Sequence, residues 1–140
     1  MATIEMDGLS ALSVSLDKLA AMPDDVMGQM LTAGADVLAQ AQQESADAHG
    51  LRDTGMMIES IKAGRPRRSP DGGDIAITPE GTRRRGNTET RNAEIAYINE
   101  YGKDGQPGTG FIREANDKKE ADAVGASEKI YNTWLDRIEL

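Results

Sequence analysis

The stretch that most constrains this chain runs from residue 24 to about residue 49. Val26, Met30, Val37, Leu38 and Ala41 recur there as one helical stripe. Pro23 stands just before it, Asp24 and Asp25 occupy the first turn where a helix dipole favours acids, and Gly50 follows as a natural terminator. A helix this long with one apolar side needs a partner layer. Gly28 and Gly34 lie inside it, and each costs roughly 1 kcal/mol against alanine. That cost points to a close helix contact at those positions, or to simple tolerance.

The remaining pattern is mixed. Leu9, Leu12, Leu16 and Leu19 step by three, four and three, which predicts an N-terminal helical segment within 1–22, capped by Ser10 or Asp7 and stopped by Pro23. Leu51-Arg52-Asp53-Thr54-Gly55 reads as a turn, with Asp53 or Thr54 capping a short helical turn through Met56, Met57 and Ile58. Residues 58–63 then read as a short strand ended by Pro66 and Pro70. Residues 74–78 read as a second strand, between Gly72-Gly73 and Pro79. Residues 80–90 are polar and read as an exposed loop. Asn92 is a candidate cap for a helix holding Ala93, Ile95, Ala96, Ile98 and Tyr101, closed by Gly102. After a turn-rich 105–110, Phe111-Ile112-Arg113 is either a short strand or the start of a last helix to Ile138, whose apolar face is Val124, Tyr131, Trp134, Leu135 and Ile138. The expected fold class is α+β: long N-terminal and C-terminal helices packed on a small, mostly antiparallel sheet with long exposed loops, as one domain over 1–140.

Charge is unevenly spread. The chain has 16 bases and 24 acids, net −8. Residues 62–91, the basic loop or hairpin region, hold eight of those bases (Lys62, Arg65, Arg67, Arg68, Arg83, Arg84, Arg85, Arg91) against four acids, so this segment is +4 and the remainder −12. Such a body repels nucleic acid broadly and offers one local contact point. It also suits head-to-tail self-association, with the protrusion of one copy meeting the acidic face of the next. All five aromatics lie late, at Tyr97, Tyr101, Phe111, Tyr131 and Trp134, so the first part has to pack with aliphatic residues and methionine.

Little in the sequence points to chemistry. With no cysteine there is no disulfide, thiolate metal site or cysteine nucleophile. The single histidine, His49, sits near a helix end, where a surface or capping role is the ordinary one. Asp71-Gly72-Gly73-Asp74 lacks the ligand run and closing glutamate of a calcium loop, and the glycines of 105–110 lack the setting of a phosphate loop. The expectation is a protein that is not an enzyme, with no catalytic residue, cofactor or metal. The first residues lack a basic patch and apolar run, and no stretch approaches the roughly 18 apolar residues of a membrane span, so a soluble protein of a reducing compartment is expected.

Three blocks resemble one family. Leu51-Arg52-Asp53-Thr54-Gly55 with Glu59-Ser60-Ile61 looks like the "LRDTG…SI" block of tailed-phage head–tail joining (tail-completion, or neck) proteins. Ile95-Ala96-Tyr97-Ile98-Asn99-Glu100-Tyr101-Gly102 resembles that family's "YA…EYG" block, and Phe111-Ile112-Arg113-Glu114-Ala115 its "PFLRPA" block. Order and spacing agree over roughly residues 24–138. Two positions depart: Gly110 and Glu114 stand where the family has prolines, which leaves 105–115 less rigid.

The resemblance implies a structural virion protein, assembled in the bacterial host cytoplasm and located in the neck. It would form a homo-oligomeric ring, with six copies the implied number, around the DNA channel. Its implied partners are the head-side adaptor or connector and the tail tube or tail terminator, with transient contact to channel DNA and none to membrane. The candidate subunit or partner residues are Arg67, Arg68, Arg83, Arg84, Arg85, Glu100, Tyr101, Phe111 and Arg113. For Glu100-Tyr101-Gly102 a plainer reading stands beside the partner contact: Tyr101 on the core, Gly102 ending the helix, Glu100 solvated. The alternative function is a small nucleic-acid-binding protein using the basic 62–91 loop.

Overall fold

In the computed structural model, which describes residues 2–7, 11–16, 22–70 and 72–138, the chain is α+β with every strand pairing antiparallel. Strands β1 (Ala2–Asp7) and β2 (Ala11–Leu16) precede helix α1 (Asp24–Ala48). Next come α2 (Met56–Glu59), β3 (Ile61–Ala63), β4 (Arg67–Ser69), β5 (Gly72–Pro79), β6 (Thr82–Arg85) and β7 (Thr88–Arg91). The chain continues through α3 (Asn92–Tyr101), β8 (Gly102–Lys103) and β9 (Gln106–Pro107) into α4 (Phe111–Ile138). The five-stranded sheet has the order β1-β2-β5-β3, with β4 also on β5; β6-β7 and β8-β9 are separate two-stranded pairs.

The expected N-terminal helical segment is corrected to two strands. Leu12-Ser13-Val14-Ser15-Leu16 also alternates with period two, and β5 decides between the periods. Leu12 pairs with Ile75, and both are fully buried. Leu9 and Leu19 lie outside the described residues. The expected strand over 58–63 shortens to β3, because Met57 and Ile58 belong to α2 and enter the core from there. The loop expected over 80–90 is a β-hairpin.

Helix α1 is the central element. Its buried Met27, Met30, Leu31, Ala35 and Leu38 serve two neighbours at once. One flank covers the sheet: Gly73, Ile75 and Ile77 alternate inward on β5, and a Cβ at Gly73 would lie 2.7 Å from Met27 Cε. The other flank meets α4 antiparallel. Ser45 Oγ donates to the Phe111 carbonyl at 2.8 Å, Gln42 Nε2 to Asn116 Oδ1 at 3.0 Å, and Ser127 Oγ to the Met30 carbonyl at 2.7 Å. The side of α4 toward α1 is made of small and polar residues, with Ala115, Asn116, Ala123 and Ser127 buried, while Tyr131 and Trp134 only half-close its far end and Ile138 is exposed. The close contact expected of the two α1 glycines exists at Gly34, where a Cβ would stand 2.6 Å from both Leu12 Cδ2 and Ser127 Oγ; at Gly28 only Pro66 is near, at an ordinary 3.7 Å.

Candidate interaction surface

The three sequence blocks form joints between elements. The first is the turn before α2. Thr54 Oγ1 accepts from the Met56 amide at 3.2 Å, and Asp53 accepts from Arg83 of β6 at 3.0 Å. Arg52 forks onto Asp47 with bonds of 2.7 and 3.0 Å, tying the turn to the end of α1. That hydrogen bond holds the Asp47 carboxyl below the ordinary carboxylate range, against a small opposing effect of burial and with charge attraction adding to it; Arg52 is raised in return.

The second joint links the last two blocks. Glu100 is 5% exposed, and its Oε1 accepts from the Ile112 amide at 2.6 Å, at the first turn of α4. A carboxylate there satisfies an otherwise orphaned amide and faces the positive end of the helix dipole. The Asn99 carbonyl takes both the Thr109 amide (2.7 Å) and its hydroxyl (2.8 Å), and the Gly110 amide donates to the Glu100 carbonyl at 3.1 Å. Both departures from the family pattern act here. Gly110 has φ +66°, which a proline ring cannot adopt, and Glu114 bonds His49 at the end of α1. The plainer reading of 100–102 is therefore reversed: Glu100 is inside and Tyr101 is outside, although Gly102 does end the helix at φ +88°.

What these joints leave exposed is one flank. Tyr97 and Tyr101 are 63% and 53% exposed, four residues apart on α3, with ring centroids 4.8 Å apart at 49°. Met56, also exposed, starts α2, which packs on α3. Beside them stands the β6-β7 hairpin, whose base is fixed by the Asn92 amide on the Gly81 carbonyl (2.9 Å) and by Asn92 Nδ2 on the Glu80 carbonyl (2.8 Å). Asn92 thus ties the hairpin down instead of capping α3.

The candidate residues separate in this arrangement. Arg83 is anchored to Asp53 at the hairpin base. Arg84 is exposed beside Glu89 at 3.9 Å, and Arg85 pairs with Thr88 in the hairpin register. Arg67 bonds Asp74 at 3.1 Å, and Arg68 reaches the Met22 carbonyl and Asp24, both at 3.2 Å, so these two hold their own chain together. Phe111 is fully buried and is a core residue of the subunit; Arg113 is exposed on the first turn of α4. Tyr97 was not among the candidates. Its i,i+4 spacing from Tyr101 was the available signal.

A recess of 640 Å³ lies between α1, α2 and β3 and is lined by both signs of charge, including Asp36, Glu44, Asp47, Arg52 and Lys62. Among the described residues no group of three or more His, Asp or Glu is placed to hold a metal ion, and no helix is long and apolar enough to cross a membrane. No family model, curated protein or solved structure matches the chain.

Proposed function

We propose that this chain is a structural subunit of a tailed-phage neck, assembling with its own copies into a ring that joins head and tail around the DNA channel. The observation that carries the reading is the set of three ordered blocks together with their place in the fold. Each supplies a joint, at Asp53–Arg83 and at Glu100–Ile112, and between them they hold the tyrosine pair and the basic hairpin outward on one flank. Paired exposed aromatics next to arginines are the composition of an interface core and its rim. The phosphate-binding alternative has less support, since Arg67, Arg68 and Arg83 already pair with Asp74, Asp24 and Asp53.

Particles produced without this chain should appear by electron microscopy as full heads with unattached tails. Normally joined virions would contradict the proposal. In a duplex-binding titration at low salt, no binding is expected from the free protein; tight, salt-sensitive binding would favour the nucleic-acid reading instead.

A further inference from the structure

The two edges of the main sheet are built differently. On the β3-β4 edge, Gln43 Nε2 covers the Ile61 carbonyl at 2.9 Å. Gly64 lies opposite Ala76, donating its amide at 2.8 Å, and Arg67 lies opposite Asp74, so Arg65 and Pro66 both stand against Ile75. That edge is therefore broken by a bulge, carries a proline and bears Arg65, Arg67 and Arg68, all devices that discourage strand addition. The β1 edge has none of them. It is six residues in unbroken register with β2, from Ala2↔Leu16 to Asp7↔Ala11, and contains no proline, glycine or base. Among the described residues no strand lies on its outer side, and alternate backbone groups along it point away from β2.

The β6-β7 hairpin is incomplete in the complementary way. It is a two-stranded sheet fixed at its base, of a kind that is marginal by itself, with four residues per strand to match against six. The charges are opposite: β1 brings Glu5 and Asp7 with no base, while residues 82–91 bring Arg84, Arg85 and Arg91 against Glu89, with Arg83 held by Asp53 of its own chain. The two lie on opposite flanks. The hairpin rests on α2 and α3, and α2 runs directly into β3, the far edge from β1.

From this we infer that β1 of one copy receives the β6-β7 hairpin of the next, extending the five-stranded sheet to seven strands across the subunit boundary. Backbone pairing supplies the attachment and the acid–arginine match sets its direction. The contact is head-to-tail, so it propagates around a ring, and it rests on the ring reading given above. Pairing β1 with a second β1 would bring together two strands that carry only acids.

Because the chain lacks cysteine, two single variants test the contact: Thr3→Cys on β1 and a size-tagged Thr88→Cys on β7. They are mixed at the highest soluble concentration and treated with a short bis-maleimide. The expected product contains one of each, and Thr3→Cys alone gives no dimer. A Thr3→Cys self-product would overturn the inference in favour of two-fold β1 pairing. Sedimentation as an oligomer without the mixed product would overturn the strand contact and leave the ring reading standing. A monomer with no product at every concentration would also overturn it, and particle microscopy then decides the ring separately. Adding Arg84→Glu and Arg85→Glu to the hairpin variant should abolish the mixed product with circular dichroism unchanged. Glu5→Lys with Asp7→Lys on the β1 variant should restore it. Failure of that rescue would count against the charge match.

Discussion

The α1–α4 body and the flank formed by α2, α3 and the β6-β7 hairpin use their side chains in opposite ways. In the body, large apolar groups point inward and the helices approach closely through Gly34, Ala35, Ala123 and Ser127. On the flank the large aromatic groups, Tyr97 and Tyr101, are exposed; α2 still buries Met57 and Ile58, and hydrogen bonds donated by Arg83 and Asn92 and accepted by Glu100 fix the joints. A body held by burial resists rearrangement. A flank fixed by polar joints presents a surface with a defined position, and its aromatic area stays exposed on the single chain.

The contrast predicts a graded response to substitution. Phe111→Ala empties a fully buried site of the body and should cost about 4 kcal/mol in urea unfolding. Gly34→Val drives a branched side chain into Leu12 and Ser127 and should cost about 2 kcal/mol by the same measurement. Glu100→Ala leaves the part-buried Ile112 amide without its acceptor and should cost about 1.5 kcal/mol, with Glu100→Gln recovering part because an acceptor remains. The Asp47–Arg52 pair is exposed and contributes less. Its carboxyl is lowered in the folded chain, so its contribution is present above the unfolded value of about 3.9 and is lost as pH falls through the lower folded value. Asp47→Asn should therefore lower stability slightly and uniformly at neutral pH, with the difference from the native chain vanishing as pH falls below about 4, so that the acid limb flattens. Tyr97→Ser with Tyr101→Ser should shift monomer stability by no more than about 0.5 kcal/mol while abolishing assembly by sedimentation. A large loss of monomer stability there would erase the distinction between body and flank.

How far these regions could be read from the sequence follows the range of the forces involved. Helix α1 and its terminators, the turn at 51–55, α2, β5 and the end of α3 at Gly102 are set by local pattern, and they stand where that pattern puts them. The first 22 residues satisfy two periods at once, and only pairing with β5 chooses the strand. The hairpin had a local signal that its polarity obscured. Gly86-Asn87 is a two-residue turn between threonine- and arginine-bearing strands, with Gly86 at φ +61°, the first-position glycine such turns require. Glu100 had none. A glutamate beside a helix-ending glycine reads as solvated, and its acceptor role depends on Ile112 being brought back by the 102–110 turn. The outward place of Tyr101 depends on the same closure, since Glu100 beside it takes the inward one.

On the proposed function, the exposed flank serves assembly of identical copies at the junction of head and tail. A whole-particle reconstruction tests it most directly. Density for this fold is expected in a closed ring at the neck, with the hairpin of each copy touching its neighbour. A neck fully explained by other chains, with no density for this one, would contradict it.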